Sequence, residues 1–554
     1  MAEEKLTDLE IVQKLRNRQK QFETIRLPWE PDWQTIAELV QPRREALHFA
    51  GTKDKGKRSS KQRYDGTPTE ALQLLADGLM GYLVSPSLQW FRLKIPQEKL
   101  NNMPDVKEWL QAVERQLYSE FARSNFYEEM HAYFLDGGST GTATIYQEED
   151  IAGGKIVFST RHPREIYIAE NRYGFVDTVH RKYDLSIREI VQQFGEDSLN
   201  DTQKRMYKDK PDEEYELLHA VFPNTDRIYG DLSSKNKPFS SFYMFSKTGD
   251  ELLRQSGYDE NPYAVWRWRK NSTEVYGRSP AHDALVDIQA LNQVRRDLLH
   301  AGNISVNPPV NIPAEQKFRV KLTPAGQNFF KDAGRVISPV FTGINYPIGK
   351  EELADFRQII KKHFRVEFFL MLAEAQRTMT ATEVVERQGE KAAVLGATIG
   401  RLNTECMNPI IDRSFRIAMN AGRLPPPPDA LAEYGGDVEI DYLGPLAQAQ
   451  KRLFKTQGVM RSLEAIGGVA QMMPSVLDNI DQDEVARLIM DSFGMPAKAV
   501  KDQSEVDKIR QARQEAAAQE KKMAQMAEMA KAVPNLQKAT EEGSPLEKLE
   551  EQQQ

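Results

Sequence analysis

Gly137-Gly138-Ser139-Thr140-Gly141 matches the G-x-S-x-G pattern of a hydrolase nucleophile elbow. That chemistry needs a strand before the serine and a helix after it, so that the hydroxyl stands exposed on a strained turn. Here the order is reversed. A helical stretch, MPDVKEWLQAVERQLYSEFARSNFYEEMHAYFL, precedes the motif, and a strand-like stretch, TATIYQEE, follows it. The glycines therefore read as a helix-to-strand turn that needs unusual backbone angles. Glu128 and His131 supply one E-x-x-H on a helix, whereas a carboxylate-bridged di-metal bundle needs that motif twice. The chain has neither a G-x-x-x-x-G-K-[ST] phosphate loop nor an H-E-x-x-H. Its one cysteine, Cys406, forms no internal disulfide and no cysteine-based zinc site; its apolar helical neighbours mark it as packing. The sequence thus predicts a non-enzyme, with no catalytic, cofactor-binding or metal-binding residues.

The remaining candidates are electrostatic. Arg357, Lys361 and Arg365 recur at i, i+4 and i+8, which places them on one helix face, with Lys362 beside it. Alone this is a solvated charge stripe. Repeated around a rotation axis it becomes stacked rings of positive charge, and Arg377 in the following polar break would add another. Residues 303–349 are also slightly basic, through Lys317, Arg319, Lys321, Lys331 and Arg335. The whole chain is not basic: 74 Lys plus Arg stand against 81 Asp plus Glu over 554 residues, a net charge of -7. Sequence-independent grip on a polyphosphate calls for a basic excess. The balance excludes a generic basic nucleic-acid coat and leaves room for a protein that lets nucleic acid pass. No run of 18 apolar residues and no signal-peptide core occur, so no membrane association is expected.

The elements that must position these residues follow from periodicity. Leu9, Val12 and Leu15, then Ile36, Leu39 and Val40, predict helices meeting at a corner around Trp29 and Trp33. Residues 51–63 are a basic polar loop, 67–83 a helix opened by Pro68, and 104–135 one long helix or two. TATIYQEE, GKIVFSTR, REIYIAEN and GFVDTVHRKY read as a first group of strands, and YELLHAVFPN, SSFYMFSK and YAVWRWRK as a second. Between the groups lie a short helix, Ile187–Phe194, and a polar linker over 196–213. Two long helices, 279–301 and 351–374, flank a compact β-containing insertion and form a stalk with a tip. After a polar break, Thr380 and Glu383 fit a capping box that opens a long helix kinked at Pro409. PPPP at 425–428 ends that region, and helix returns from 483. The fold class expected is α+β, mainly helical.

In this order, YDGTPTEALQLLADGLMGYLVSPSLQWFRL (64–93), YGRSPAHDALVDIQALN (276–292), RTMTATEVVERQGE (377–390) and IDYLGPLAQAQ (440–450) resemble the portal protein, or head-to-tail connector, of short-tailed double-stranded DNA bacteriophages. The resemblance covers roughly residues 10–480. It implies a portal fold assembled as a ring, typically of twelve subunits, at one capsid vertex. It further implies a wing (1–277), a first stem helix (278–302), a clip (303–350), a second stem helix (351–374) and a channel loop (375–382). The spine helix and remaining wing would occupy 383–482, a helical crown or barrel 483–532, and a disordered tail 533–554. Arg357, Lys361, Lys362, Arg365 and Arg377 become candidates to line a DNA channel. Lys317, Arg319, Lys321, Lys331 and Arg335 become a candidate clip docking surface.

The implied partners are other copies of the chain, duplex DNA in transit, the terminase that drives packaging, tail adaptor and tail proteins, and capsid and scaffolding proteins. The implied location is the virion, after assembly in the host cytoplasm. The competing readings are another homo-oligomeric virion component, such as an internal core or scaffold protein, and a hydrolase using Ser139.

Overall fold

The computed structural model describes residues 7–42, 63–101, 103–228, 230–231, 233–247, 249, 252–306, 310–311, 338–339, 346–370, 396–434, 438–443, 466, 481, 483–486, 490, 501 and 503–539. The chain divides into two compact units, Met1–Gly458 and Val459–Gln554.

In the first unit, α1 (Asp8–Arg26) opens with a complete Thr7/Glu10 capping box. A 3-10 turn carrying Pro28 (Leu27–Trp29) leads into α2 (Glu30–Leu39). This is the expected corner, and Trp33 is buried there edge-on to Tyr276, with ring centroids 5.2 Å apart. Pro68 lies in the first turn of α3 (Thr67–Leu83). After β1 (Phe91–Lys94) and the one-turn α4 (Glu98–Asn101), the stretch at 104–135 proves to be two helices, α5 (Pro104–Arg123) and α6 (Phe126–Ser139).

Eight strands, β2 to β9, then form two antiparallel sheets, with β1 outside them. The strands β2 (Thr142–Asp150) and β3 (Lys155–Arg161) form a hairpin, as do β4 (Ile166–Glu170) and β5 (Val176–Ser186). Helix α7 covers Ile187–Phe194, as expected. The expected linker holds a helix, α8 (Asp201–Asp209), capped by Asn200 and Gln203. Then come β6 (Glu214–Pro223), β7 (Phe239–Phe245), an unexpected β8 (Leu252–Tyr258) and β9 (Tyr263–Arg267). Sheet order is β3-β2-β9 and β4-β5-β6-β7-β8. β9 therefore leaves its sequence neighbours and pairs with β2, from Thr142↔Arg267 to Tyr146↔Tyr263.

β9 has reason to cross. Ala264 and Trp266 join the main core with α3, α5 and α6, while Tyr263 and Val265 join the cluster between the sheets. Both faces of β9 are thus buried although it is the edge strand of its sheet, because a different core covers each face. Gly137 is the last-turn residue that lets α6 reach Trp266, since a Cβ there would lie 2.3 Å from the indole.

The stalk helices differ from expectation at their ends. Ser279 caps α9 (Pro280–Asp283), and a step at Ala284 leads to α10 (Leu285–Val306), beyond the expected end at 301. The two-residue strands β10 (Val310–Asn311) and β11 (Ser338–Pro339) pair antiparallel at the base of the insertion. α11 (Tyr346–His363) starts before 351 and stops well before 374. Further on, a π-helical turn, Asn403–Met407, runs into α12 (Asn408–Asn420), so the expected kink falls just ahead of Pro409. After α13 (Asp429–Tyr434), β12 (Glu439–Tyr442) pairs with β1.

In the second unit, α14 (Gln503–Ala539) is 37 residues long, and Arg510 pairs with Asp483. Residues 533–539 are thus helical, which corrects the expected disordered tail; 540–554 lie outside the described residues. No helix among the described residues is long and apolar enough to cross a membrane.

Candidate functional site

The candidate site is the α10–α11 pair and the ground it stands on. Ile288 and Leu291 of α10 are buried with Leu353 and Ile360 of α11. Near the far end the helices touch closely: a Cβ on Gly349 would come within 2.5 Å of Leu298. At the near end His363 Nε2 lies 3.7 Å from Asp287 Oδ2.

The segment just before α3 holds both helices. The Tyr64 amide donates to Asn292 Oδ1 of α10 at 2.8 Å. Arg357 of α11 donates to Asp65 Oδ2 at 2.7 Å from Nη2 and 3.1 Å from Nε. Asp65 Oδ1 also accepts from the Thr67 amide and hydroxyl, which starts α3. Burial opposes ionisation of Asp65, but the bonds from Thr67 and then from Arg357 outweigh it and hold its carboxyl below the usual range.

The stripe Arg357, Lys361, Arg365 is broken, which corrects the expectation of one shared face. Arg357 and Lys361 flank the buried row Leu353, Ile360 and Phe364. α11 then ends, and Arg365 takes φ 58°, the left-handed position that usually falls to Gly after a helix. The cause is burial. Phe364, Val366, Phe368 and Phe369 are all buried, yet a continuous helix would point Val366 roughly 200° away from Phe364. The break lets the chain turn all four inward, and Phe369 packs against Gly78 and stacks on Tyr82 at 6.3 Å.

Lys362 and Arg365 are exposed and Lys361 is half-buried; none of the three makes an ion pair among the described residues. Lys362 shares its side of α11 with exposed Glu351 and Asp355, so the helix is acidic toward its start and basic toward its end. Cations in the last turn also complement the helix dipole. Arg377, the candidate clip residues Lys317, Arg319, Lys321, Lys331 and Arg335, the expected channel loop 375–382 and the expected Thr380/Glu383 cap lie outside the described residues. The sequence reading missed Asp65, Tyr64 and Asn292. It also missed Arg295 and Arg296 on α10, although the pair stands out after Val294.

The motifs set aside earlier have structural positions. Ser139 is fully buried, and its hydroxyl donates to Gln41 Oε1 at 2.6 Å. The adjoining cavity, about 10 Å³, has room for one water and no substrate. Gly141 takes φ 79° at the turn into β2. Cys406 is buried in the π-helical turn, and burial pushes its thiol up to about 12. His131 contacts Asp77 of α3 at 2.9 Å. No cluster of three or more His, Cys, Asp or Glu suited to a metal occurs among the described residues.

Comparison with known proteins completes the description. The family described as "Bacteriophage head to tail connecting protein" matches residues 12–500. The chain is similar to the portal protein of Salmonella phage epsilon15, at 31% identity over 532 residues, covering 93% of this chain and 94% of that one. It is also similar to the probable portal protein of Bordetella phage BPP-1, at 31% identity over 516 residues, covering 91% and 92%. The interrupted α10–insertion–α11 stalk, clasped at its root by Tyr64 and Asp65, is therefore a feature of a chain that belongs to the bacteriophage head-to-tail connecting protein family.

Proposed function

We propose that the chain is the portal of a short-tailed phage: a ring, typically twelve copies, at one capsid vertex, through which duplex DNA enters and leaves. The observation that carries this reading is the likeness, over more than nine-tenths of each chain, to one phage portal protein and one probable portal protein. In it, α10 and α11 are the stem, residues 303–350 the clip, 375–382 the channel loop and α14 the crown. Val286, Leu299 and Val306 on α10 and Ile359 on α11 are exposed apolar side chains. Such surfaces favour burial between neighbouring copies.

The mechanism is transport without covalent chemistry. A separate terminase drives the DNA, and the ring provides the conduit and the docking face, first for terminase and then for the tail adaptor. Lys317, Arg319, Lys321, Lys331 and Arg335 serve that face. Capsid and scaffolding proteins hold the rim, so the protein resides in the virion after assembly in the host cytoplasm. A channel must not grip DNA, because phosphate contacts accumulate along a duplex. Lys361, Lys362, Arg365 and Arg377 act as sparse cations on a wall that Glu351 and Asp355 keep partly acidic, so DNA slides without settling into a register.

Native mass and negative-stain imaging of the purified chain test the class. Twelve copies of a 63.3 kDa chain give a particle of roughly 0.7–0.8 MDa with a central hole. A monomer that binds duplex DNA tightly and releases it with salt overturns the reading. Neutralising the four channel cations lowers DNA retention while rings still form; equal loss of assembly overturns their assignment.

A further inference from the structure

Two exposed hairpin turns in the first unit are unlike in charge: one closes β2, and the other is held from the residue paired with the opposite end of β2. The β4–β5 turn presents Tyr173, 68% exposed, and Phe175, 49% exposed, with the Arg172 guanidinium 4.5 Å from the Tyr173 ring. The turn is rigid. Asn171 Oδ1 accepts from the amides of Tyr173 and Phe175 at 2.9 and 3.1 Å. From beneath, Arg267, which is fully buried, donates to the Gly174 carbonyl at 2.8 Å and to Glu405 Oε1 at 2.5 Å. Exposed aromatics beside an arginine, held in advance by a buried charge network, have the composition and stiffness of a binding anchor. Glu170, two residues before Arg172, is already paired with Arg267 and Lys270, and Asp177 accepts from Thr178. Arg172 is left as the outward charge.

The β2–β3 turn is its counterpart. Ile151 is 87% exposed and follows Glu148, Glu149 and Asp150. Glu149 pairs with Arg423, and Lys155 is the one base on the turn's other limb. Glu148 is exposed and makes no ion pair among the described residues. Arg267 stands opposite Thr142 at the start of β2, whereas Asp150 is its last residue. At about 3.3 Å per residue these two ends of β2 are roughly 26 Å apart, far more than the Arg267 side chain spans. The two turns cannot meet within one chain. Between copies, unlike patches at separate places on a subunit make a head-to-tail contact, which closes into a ring when the rotation permits.

We propose that the Arg172–Tyr173–Phe175 turn of one copy docks on the Glu148–Ile151 turn of the next, with Arg172 facing Glu148 and Tyr173 against Ile151. This rests on the portal reading and names one contact of its ring.

The test uses the full-length chain. Cys406 is buried with its thiol pushed up to about 12, so it stays silent under mild oxidation. Ile151→Cys combined with Tyr173→Cys gives a ladder of disulfide-linked multimers, and neither single variant does. Rings seen by negative stain whose double-cysteine chains stay unlinked overturn the contact and leave the portal reading standing. A chain that forms no ring under any condition overturns both. As a second measurement, Arg172→Glu raises the concentration at half-assembly about tenfold, and adding Glu148→Arg restores it. Absence of that rescue also overturns the contact.

Discussion

Asp65 and Arg357, 292 positions apart in sequence, meet at 2.7 Å, so one carboxylate both starts α3 and holds α11. Asp65→Ala removes the acceptor for the Thr67 amide and hydroxyl and the partner of Arg357, and costs about 1–2 kcal/mol in urea unfolding. Asp65→Asn can still accept from Thr67 and costs about 1 kcal/mol. Because the folded carboxyl titrates below its ordinary value, its contribution is complete above that value. It is lost as pH falls through the lowered one. The Asp65→Asn chain therefore shows a shallower loss of stability on acidification.

Glu114 has the opposite sign. It lies on α5, accepts from the Leu93 amide of β1 at 2.7 Å, and is pushed up to about 7 by burial, with the Leu93 bond and Arg92 opposing. Between its ordinary value and about 7 the folded state binds the extra proton. Stability falls as pH rises through that window, by up to about 1.4 kcal/mol per pH unit, and flattens above it. Glu114→Gln keeps an acceptor for Leu93 and removes this slope. Thermal unfolding from pH 5 to 8 checks the difference between the two chains.

Two glycines on α3 predict opposite outcomes for the same substitution. A Cβ at Gly78 would lie 2.3 Å from Phe369 Cδ1 and 2.4 Å from Cγ, at the root of a packed ring. Gly78→Ala therefore costs about 1–3 kcal/mol. Gly81 has no heavy atom within 4 Å of that position, so Gly81→Ala gains up to about 1 kcal/mol from helix propensity. Differential scanning calorimetry of the two variants separates them by sign.

Local signals were readable wherever one residue type dictated one conformation. The short stretch Ile187–Phe194 read as a helix and forms α7, and the β-branched and aromatic stretch GKIVFSTR read as a strand and forms β3. Asn200 and Gln203 formed an explicit cap, but α8 buries only Gln203, so its weak apolar face hid it. What depended on distant partners was not readable. The pairing of β9 with β2 is decided by which core Trp266 enters, and the clasp of Arg357 by a loop far upstream. Charge spacing alone made Arg357, Lys361 and Arg365 look equivalent. Packing made one a tether, one a flank and one a turn.

Arg365 separates those roles experimentally. A left-handed backbone costs a residue with a Cβ about 1–2 kcal/mol, which Gly does not pay and Asn reduces. Arg365→Gly therefore stabilises the folded chain by about 1 kcal/mol, offset in part by the greater freedom of an unfolded Gly. It also deletes an exposed cation after α11. Arg365→Lys keeps the charge and the backbone cost. If Arg365 serves passing DNA, the Gly variant unfolds at higher temperature yet retains less DNA in filled particles, while the Lys variant retains it normally. A Gly variant that is more stable and retains DNA as the parent does assigns Arg365 to the turn alone.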